Sequence, residues 1–335
     1  MNPVLEPRPT DMPKEITHWL LAEEVSRRLR GTPFEEPLRR NGNILHLGAV
    51  VHDAPYYYLK PDRERRFGDL PRKLHGTVDD AYELIGALLS YALERPRQEE
   101  EPLLAFLVGL VTHLFADALM HPLIFYLTGR YDDPSFRQGT VARQDHRRLE
   151  SLIDMHLVGG YDRVRNYSLA AFLRSAEVPL AGLYTHVGRA WFEPGRAPDF
   201  TGGLISAFRL FAFLQGIFRN PLLGRLFFRI FAIAPAIVRE ILALSYSPQL
   251  LRYEGRITGT IPYRHPCTGR EQAHGIAELF QGAVEQSVAF CRGLEPLLDS
   301  RSNRPARLIL PAVDPALGFD LDRPPCHYSE KRFFD

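Results

Sequence analysis

The chain has 335 residues, of which 45% are hydrophobic, and this is enough apolar material for one large or two moderate cores, so a largely disordered protein is not expected. The 41 basic and 40 acidic side chains nearly cancel, so no overall field attracts the protein to nucleic acid, and no specific nucleic-acid partner is predicted. The three cysteines form no paired motif, which disfavours a disulfide framework and a thiolate zinc site.

The first hundred or so residues predict several helices. Prolines and charges interrupt residues 1–19, where a secretory signal would need an unbroken apolar run, so we expect a cytoplasmic protein. Residues 13–31 predict a helix that begins near a proline and ends at a glycine. Residues 41–58 fit either a helix or a strand until a proline ends the pattern. After a charged loop, residues 76–94 predict an amphipathic helix.

Residues 103–127 form the most apolar stretch and carry one formal charge, that of Asp117. Length alone would allow this stretch to span a membrane. We favour a buried helix of a soluble protein, because two histidines and an aspartate share one face and suit a metal site better than lipid. Residues 143–160 predict a further helix, which the two glycines at its end stop.

A stretch rich in proline and glycine, around residues 190–202, separates this part from a second helical block. Residues 203–245 interleave aromatic side chains with arginines, and two interpretations stay open. They are core helices whose arginines reach the surface, or an interfacial surface in peripheral contact with a membrane. Residues 277–298 predict a last amphipathic helix.

No series of alternating strands and no internal repeat appears, so the sequence predicts an all-α, multi-helix bundle. We expect a main helical domain over residues 1–200. A second helical block over residues 201–300 would pack on it, followed by an irregular tail over residues 301–335.

The stretch THLFADALMHP, residues 112–122, places metal-binding side chains inside an apolar run. His113, Asp117 and His121 differ by only about 40° and 80° around a helix, so they share one face. His113 and His121 lie about 12 Å apart along the helix axis. Two ions bridged by Asp117 therefore fit better than a single ion.

His146 and Glu150 form a second pair at the same spacing, and each pair offers an imidazole nitrogen and a carboxylate oxygen, which suit zinc. Farther upstream, His18, Asp53 and His75 lie at element ends or on helix faces where a ligand could point inward. Taken singly, each of these three also fits an ordinary core or capping residue.

In chain order the set is His18, Asp53, His75, His113, Asp117, His121, His146 and Glu150. This order resembles the zinc-dependent phospholipase C family, whose all-helical fold around a three-zinc cluster is shared with the single-strand-specific zinc nucleases. The resemblance covers residues 12 to about 160 and, more loosely, the closing helix after PCTGRE.

The resemblance implies a role for each member of the set. A first zinc ion would be held by Asp53, His75, His113 and Asp117, with Asp117 also bridging. A second ion would be held by His121, His146 and Glu150, and a third by His18 and Asp117. Secreted members complete the third site with an amino-terminal tryptophan, whereas Trp19 here is internal, so two to three zinc ions are expected.

The resemblance also implies a substrate, a phospholipid or another phosphodiester. Zinc would lower the pKa of bound water to about 7 and so supply a hydroxide nucleophile. Asp53 would be either a ligand or the catalytic base. The tyrosines at residues 56–58 could cage a quaternary ammonium group or simply pack at the edge of the core.

Two other functions stay open on the sequence. An HD-type metal phosphohydrolase would use His52 and Asp53 together with an upstream histidine such as His46, and it would need His52 as a ligand. A non-catalytic, membrane-associated helical zinc protein would use the same ligands to hold structural zinc, and residues 203–245 would bind the membrane.

Overall fold

The computed structural model describes residues 14–59, 70–75, 78–130, 135–192, 198–299, 327–329 and 331–334. This part of the chain contains thirteen α-helices and one two-stranded hairpin, so the all-α prediction is confirmed. The helices are α1 (Glu15–Arg28), α2 (Glu35–Arg40), α3 (Gly42–Gly48), α4 (Leu70–Leu74), α5 (Val78–Leu93), α6 (Arg97–Thr128), α7 (Phe136–Leu157), α8 (Leu169–Arg174), α9 (Leu180–Trp191), α10 (Pro198–Phe218), α11 (Pro221–Phe231), α12 (Ala236–Leu242) and α13 (Ile276–Asp299). Three 3₁₀ helices, Ala54–Tyr57, Tyr161–Asn166 and Pro248–Arg256, link some of them.

Helix α6 lies at the centre of the fold. Helices α1, α2, α3, α5, α7 and α13 all contact it, and its apolar side chains surround the axis instead of forming one stripe, as in a core helix. The helix begins at Arg97, with acidic side chains in its first turn that complement the helix dipole, and Gly129 (φ 95°) follows its last residue.

Within the described ranges of the chain, two helical segments, Arg97–Thr128 and Phe200–Phe218, are long and apolar enough to cross a bilayer. This is weak evidence, because the core helix of a soluble protein has the same length and composition. Within the most apolar window of Arg97–Thr128, 78% of the residues are buried inside the protein, which is the burial expected of a core helix.

The region of residues 203–245 divides into a buried and an exposed part. Helix α10 packs against α9 and against the 3₁₀ helix Ala54–Tyr57, where Tyr57 stacks on Phe211 with ring centroids 4.2 Å apart. Helices α11 and α12 lie at the surface and leave several large apolar side chains exposed. The boundary expected at residue 200 falls inside α10, and the division of the chain into domains stays a prediction.

The structure decides between the alternatives for residues 41–58, which form α3 and a 3₁₀ helix and no strand. The hairpin was not expected. It pairs β1 (Ile261–Arg264) with β2 (Glu271–His274) in antiparallel register, across a turn that ends at Gly269 (φ 69°). Most of the tail over residues 301–335 lies outside the described residues.

Candidate metal centre

The structure brings together all eight side chains that the sequence singled out. They form three groups, and within each group the candidate ligand atoms lie within 4.8 Å of one another. The groups are Asp53, His75 and His113 (the Asp53 group), then His121, His146 and Glu150 (the Glu150 group), then His18, His113 and Asp117.

Asp117 stands between the Asp53 group and the Glu150 group. Its Oδ2 lies 3.2 Å from Nε2 of His113 and 3.6 Å from Nε2 of His75. Its Oδ1 lies 3.6 Å from Nε2 of His121 and equally far from Nε2 of His18. One carboxylate oxygen therefore faces each group, which is the arrangement that a bridging carboxylate needs.

In the Asp53 group the two imidazoles point their Nε2 atoms at one region. These atoms are 3.4 Å apart, and Oδ1 of Asp53 lies 3.3 Å from that of His75 and 3.8 Å from that of His113. The opposite nitrogen of each ring is fixed by a backbone carbonyl: Nδ1 of His113 donates to Ala49 O (2.8 Å) and Nδ1 of His75 donates to Pro71 O (2.9 Å). Because a carbonyl only accepts, these bonds place the proton on Nδ1 and leave the Nε2 lone pair for a metal ion.

Two glycines let α3 approach α6 closely enough to assemble this group. A Cβ atom on Gly109 would lie 2.5 Å from Ala49 N and still closer to Leu45 O, and a Cβ atom on Gly48 would overlap Phe106 O. His113 follows Gly109 by about one helical turn, and Asp53 follows Gly48 by five residues. The close contact at the glycines therefore sets the distance between Asp53 and His113.

The Glu150 group combines α6 with α7. His146 and Glu150 are four residues apart on α7, and Nε2 of His146 lies 3.1 Å from Oε1 of Glu150. His121 on α6 brings its Nε2 to 3.6 Å from the same oxygen. His121 stands four residues after Asp117, so both groups depend on one face of α6.

This ligand pattern can be compared with known families. The family model described as zinc dependent phospholipase C matches residues 17–182, about half of the chain, and these residues include all eight candidate ligands. The chain belongs to this family. No curated protein and no solved structure gives a significant match. The family match ends early in α9, so helices α10 to α13 lie outside it.

The residues of the centre fit the zinc of the phospholipase C family. Several buried carboxylate oxygens accept no hydrogen bond from the described residues: both oxygens of Asp53, Oδ2 of Asp117 and Oε2 of Glu150. A buried charge without a partner is costly, and a divalent cation would compensate it. Imidazole nitrogens and carboxylate oxygens are also the ligands that zinc accepts in catalytic sites.

The electrostatics of the centre favour the ionised form of Glu150 and Asp117, whereas burial raises the pKa of Asp53. Burial opposes ionisation of Glu150, yet His146 and His121 lower its pKa to about 2. Burial acts in the same way on Asp117, and again the neighbouring imidazoles of His121 and His113 hold its pKa well below the ordinary value. These two carboxylates are therefore negatively charged at neutral pH and ready to hold a cation.

His18 lies at the edge of the centre. Its ring stacks on that of His113, with centroids 3.9 Å apart and planes 9° from parallel. Beside it lies a cavity of about 20 Å³ lined by Lys14, Asp117 and Glu150 among others, enough room for one water molecule or ion. Trp19 is buried and its indole N–H donates to His46 O, so it supplies no ligand.

His52 lies outside the three groups. Its ring stacks on the other face of His113, with centroids 4.0 Å apart. His46 pairs with Glu23 near the surface, 3.2 Å away. Among the described residues, the geometry that an HD-type site requires of His52 and His46 is therefore absent.

Sequence reasoning missed the residues that hold the ligands in place. Asp154 is fully buried and accepts hydrogen bonds from Thr17 N (2.8 Å), Thr17 Oγ1 (2.5 Å) and the hydroxyl of Tyr246 (2.5 Å). It thereby anchors the start of α1, which carries His18. The sequence position of Asp154, one helical turn after Glu150, could have indicated this role, because the spacing puts both side chains on one face of α7.

Proposed function

We propose that the protein is a zinc-dependent phosphodiester hydrolase of the phospholipase C type, which cleaves a phospholipid into diacylglycerol and a phosphorylated head group. The observation that carries the proposal is the position of Asp117, whose two oxygens face two separate sets of ligand atoms. Two neighbouring divalent ions bridged by a carboxylate are a recurrent arrangement for phosphodiester hydrolysis.

The proposal assigns roles to the bound zinc ions, to the exposed members of the centre and to Asp53. Bound zinc would lower the pKa of a water molecule and polarise the phosphoryl oxygen. His75, Asp117 and His121 are the members of the centre whose side chains are 15–19% exposed, so the scissile phosphate reaches the centre past them. Only 1% of Asp53 is exposed. We therefore assign Asp53 as a ligand and not as a base that takes a proton from water.

The tyrosines at residues 56–58 support a phospholipid with a cationic head group. Tyr57 is buried against Phe211, but the ring of Tyr56 lies 5.9 Å from that of His75, at the exposed side of the centre. An aromatic face near the phosphate site suits a quaternary ammonium group. Phosphatidylcholine is thus the substrate to test first.

The test is metal analysis of the purified protein together with hydrolysis of phosphatidylcholine and of a chromogenic phosphodiester. We expect two to three zinc ions per chain and activity on both substrates. In Asp117→Asn we expect most zinc and all activity to be lost, because the amide removes the charge between the two groups. A purified protein that contains no zinc and binds none when zinc is added, or an Asp117→Asn variant that keeps full activity, would refute the proposal.

Two matched variants separate the proposal from the HD-type alternative. Glu150→Gln removes a ligand charge in the Glu150 group. His52→Phe keeps an aromatic ring stacked on His113 and removes the imidazole nitrogens. We expect zinc loss in the first variant and wild-type zinc content in the second, and the opposite pattern would favour the HD-type site. Zinc binding without hydrolysis of either substrate would favour the third function, a non-catalytic zinc protein.

A further inference from the structure

The exposed large apolar side chains of the described residues are concentrated in one segment. Seven of the eight lie between residues 213 and 241, and the exception is Leu59. Ile233 is 85% exposed, Leu222 74% and Ile237 64%. Such a concentration on a surface marks an interaction site, whereas single exposed apolar residues do not.

Five of these residues give α11, α12 and the turn between them an exposed apolar side. Leu222 and Leu226 are four residues apart on α11, Ile237 and Ile241 are four residues apart on α12, and Ile233 lies in the turn between the two helices. Residues four apart lie on the same side of a helix. We call this surface the α11–α12 face and define it by these five residues.

Contacts on the inner side of α11 and α12 attach both helices to the rest of the fold. Gly224 lets α11 lie directly against Tyr246 O, which a Cβ atom would overlap. On α12, Ala236 O and Glu240 O accept hydrogen bonds from Gln144 (3.2 Å) and Arg147 (2.8 Å) of α7. The apolar side chains are therefore held outward and cannot fold back into the core.

The charges around the face are positive. Residues 203–245 contain five arginines and a single acidic residue, Glu240. Glu240 is bound by Arg143 at 2.9 Å, so its charge is already neutralised. Arg225 and Arg229 are exposed beside Leu222 and Leu226 and form no ion pair with a described residue. Apolar side chains flanked by unpaired arginines complement a membrane that carries anionic lipid.

We propose that the α11–α12 face docks the protein on the surface of an anionic bilayer. Helices of 11 and 7 residues are too short to span a membrane, so they lie in the interface with their leucines and isoleucines inserted. Helix α12 rests on α7, the helix that carries His146 and Glu150. Docking therefore brings the helix that carries two of the candidate ligands close to the membrane. The docking itself does not require the proposed hydrolase activity.

The experiment is sedimentation of the full chain with vesicles of phosphatidylcholine alone and of phosphatidylcholine mixed with phosphatidylglycerol. We expect binding to the mixed vesicles and much weaker binding to the neutral ones. Ile233→Ser combined with Ile237→Ser should weaken binding by roughly tenfold or more, because the apolar insertion is lost. Arg225→Gln should weaken binding to anionic vesicles by about fivefold.

Two control substitutions match these changes elsewhere on the surface. Leu59→Ser removes an exposed apolar side chain far from the face in the chain, and Arg292→Gln removes an exposed arginine of α13. Both should bind like the wild type. Equal binding by all variants, or no binding by the wild-type chain, overturns the proposal. The proposal is also overturned if the wild type is a dimer in solution and the Ile233→Ser and Ile237→Ser changes dissociate it, because the face would then bind a second copy of the chain. Zinc content and hydrolysis of a soluble phosphodiester should stay unchanged in the face variants, which separates this failure from failure of the proposed function.

Discussion

The close contact between α3 and α6 gives a prediction that links the fold to the metal centre. Gly109→Ala places a methyl group 2.5 Å from Ala49 N, whereas ordinary van der Waals contact begins near 3.4 Å. The two atoms that this methyl group would meet first, Leu45 O and Ala49 N, belong to the backbone, so no change of a side-chain rotamer can relieve the contact. The helices must therefore separate by about 1 Å, or the α3 backbone must distort.

The free energy follows from two opposing effects. Alanine in place of glycine inside a helix stabilises by about 1 kcal/mol. Overpacking of a filled core costs about 1–3 kcal/mol, and strain against backbone atoms belongs at the upper end of that range. We expect a net loss of about 1–2 kcal/mol in the free energy of unfolding. A shift of this size also disrupts the hydrogen bond from His113 to Ala49 O, which measures 2.8 Å.

Urea unfolding and zinc analysis of Gly109→Ala test both consequences. Zinc content should fall, because Asp53 and His113 no longer converge. Gly216→Ala is the matched control: its Cβ atom would meet nothing within 4 Å, so it should gain up to about 1 kcal/mol and keep its zinc. If Gly109→Ala is as stable as Gly216→Ala and retains full zinc, the glycine contact does not set the geometry of the site.

Three further predictions concern charge and metal. Removal of zinc by a chelator should lower the melting temperature by several degrees in calorimetry, because the buried carboxylates of Asp53 and Glu150 lose their compensating cation; an unchanged melting temperature would contradict this. Asp154→Asn should lower the free energy of unfolding by about 2 kcal/mol in urea titration, since an amide nitrogen, which only donates, replaces one of the two oxygens that accept hydrogen bonds from Thr17 and Tyr246. Burial and the nearby charge of Glu15 raise the pKa of Asp154 from 3.8 to about 7. Between these two pH values the native state therefore holds a proton that the unfolded chain has released. This carboxyl should thus lower the free energy of unfolding of the wild type as the pH rises from 3.8 to about 7. Asp154→Asn should lack that part of the pH dependence, and an identical pH profile in both proteins would refute the assignment.

The ligand pairs within single helices could be predicted because helical geometry is local. Four-residue spacing places His113, Asp117 and His121 on one face of α6, and it does the same for His146 and Glu150 on α7, whatever surrounds them. The all-α class followed from the same periodicity. The hairpin at residues 261–274 did not, because its strands have four residues each and leave little pattern to detect.

The sequence by itself determined five long helices, α1, α5, α6, α7 and α13, and it identified the candidate metal-binding side chains and the helix face that those on α6 and α7 share. Only the tertiary structure decided which faces meet. Asp53 and His75 reach His113 through contacts between segments far apart in the chain. This approach depends on Gly48 and Gly109, and their role is visible only in the structure, where each lies directly against the backbone of the neighbouring helix. The exposure of the α11–α12 face could also be seen only in the tertiary structure. The sequence of an apolar helix side does not reveal whether a neighbouring helix covers it.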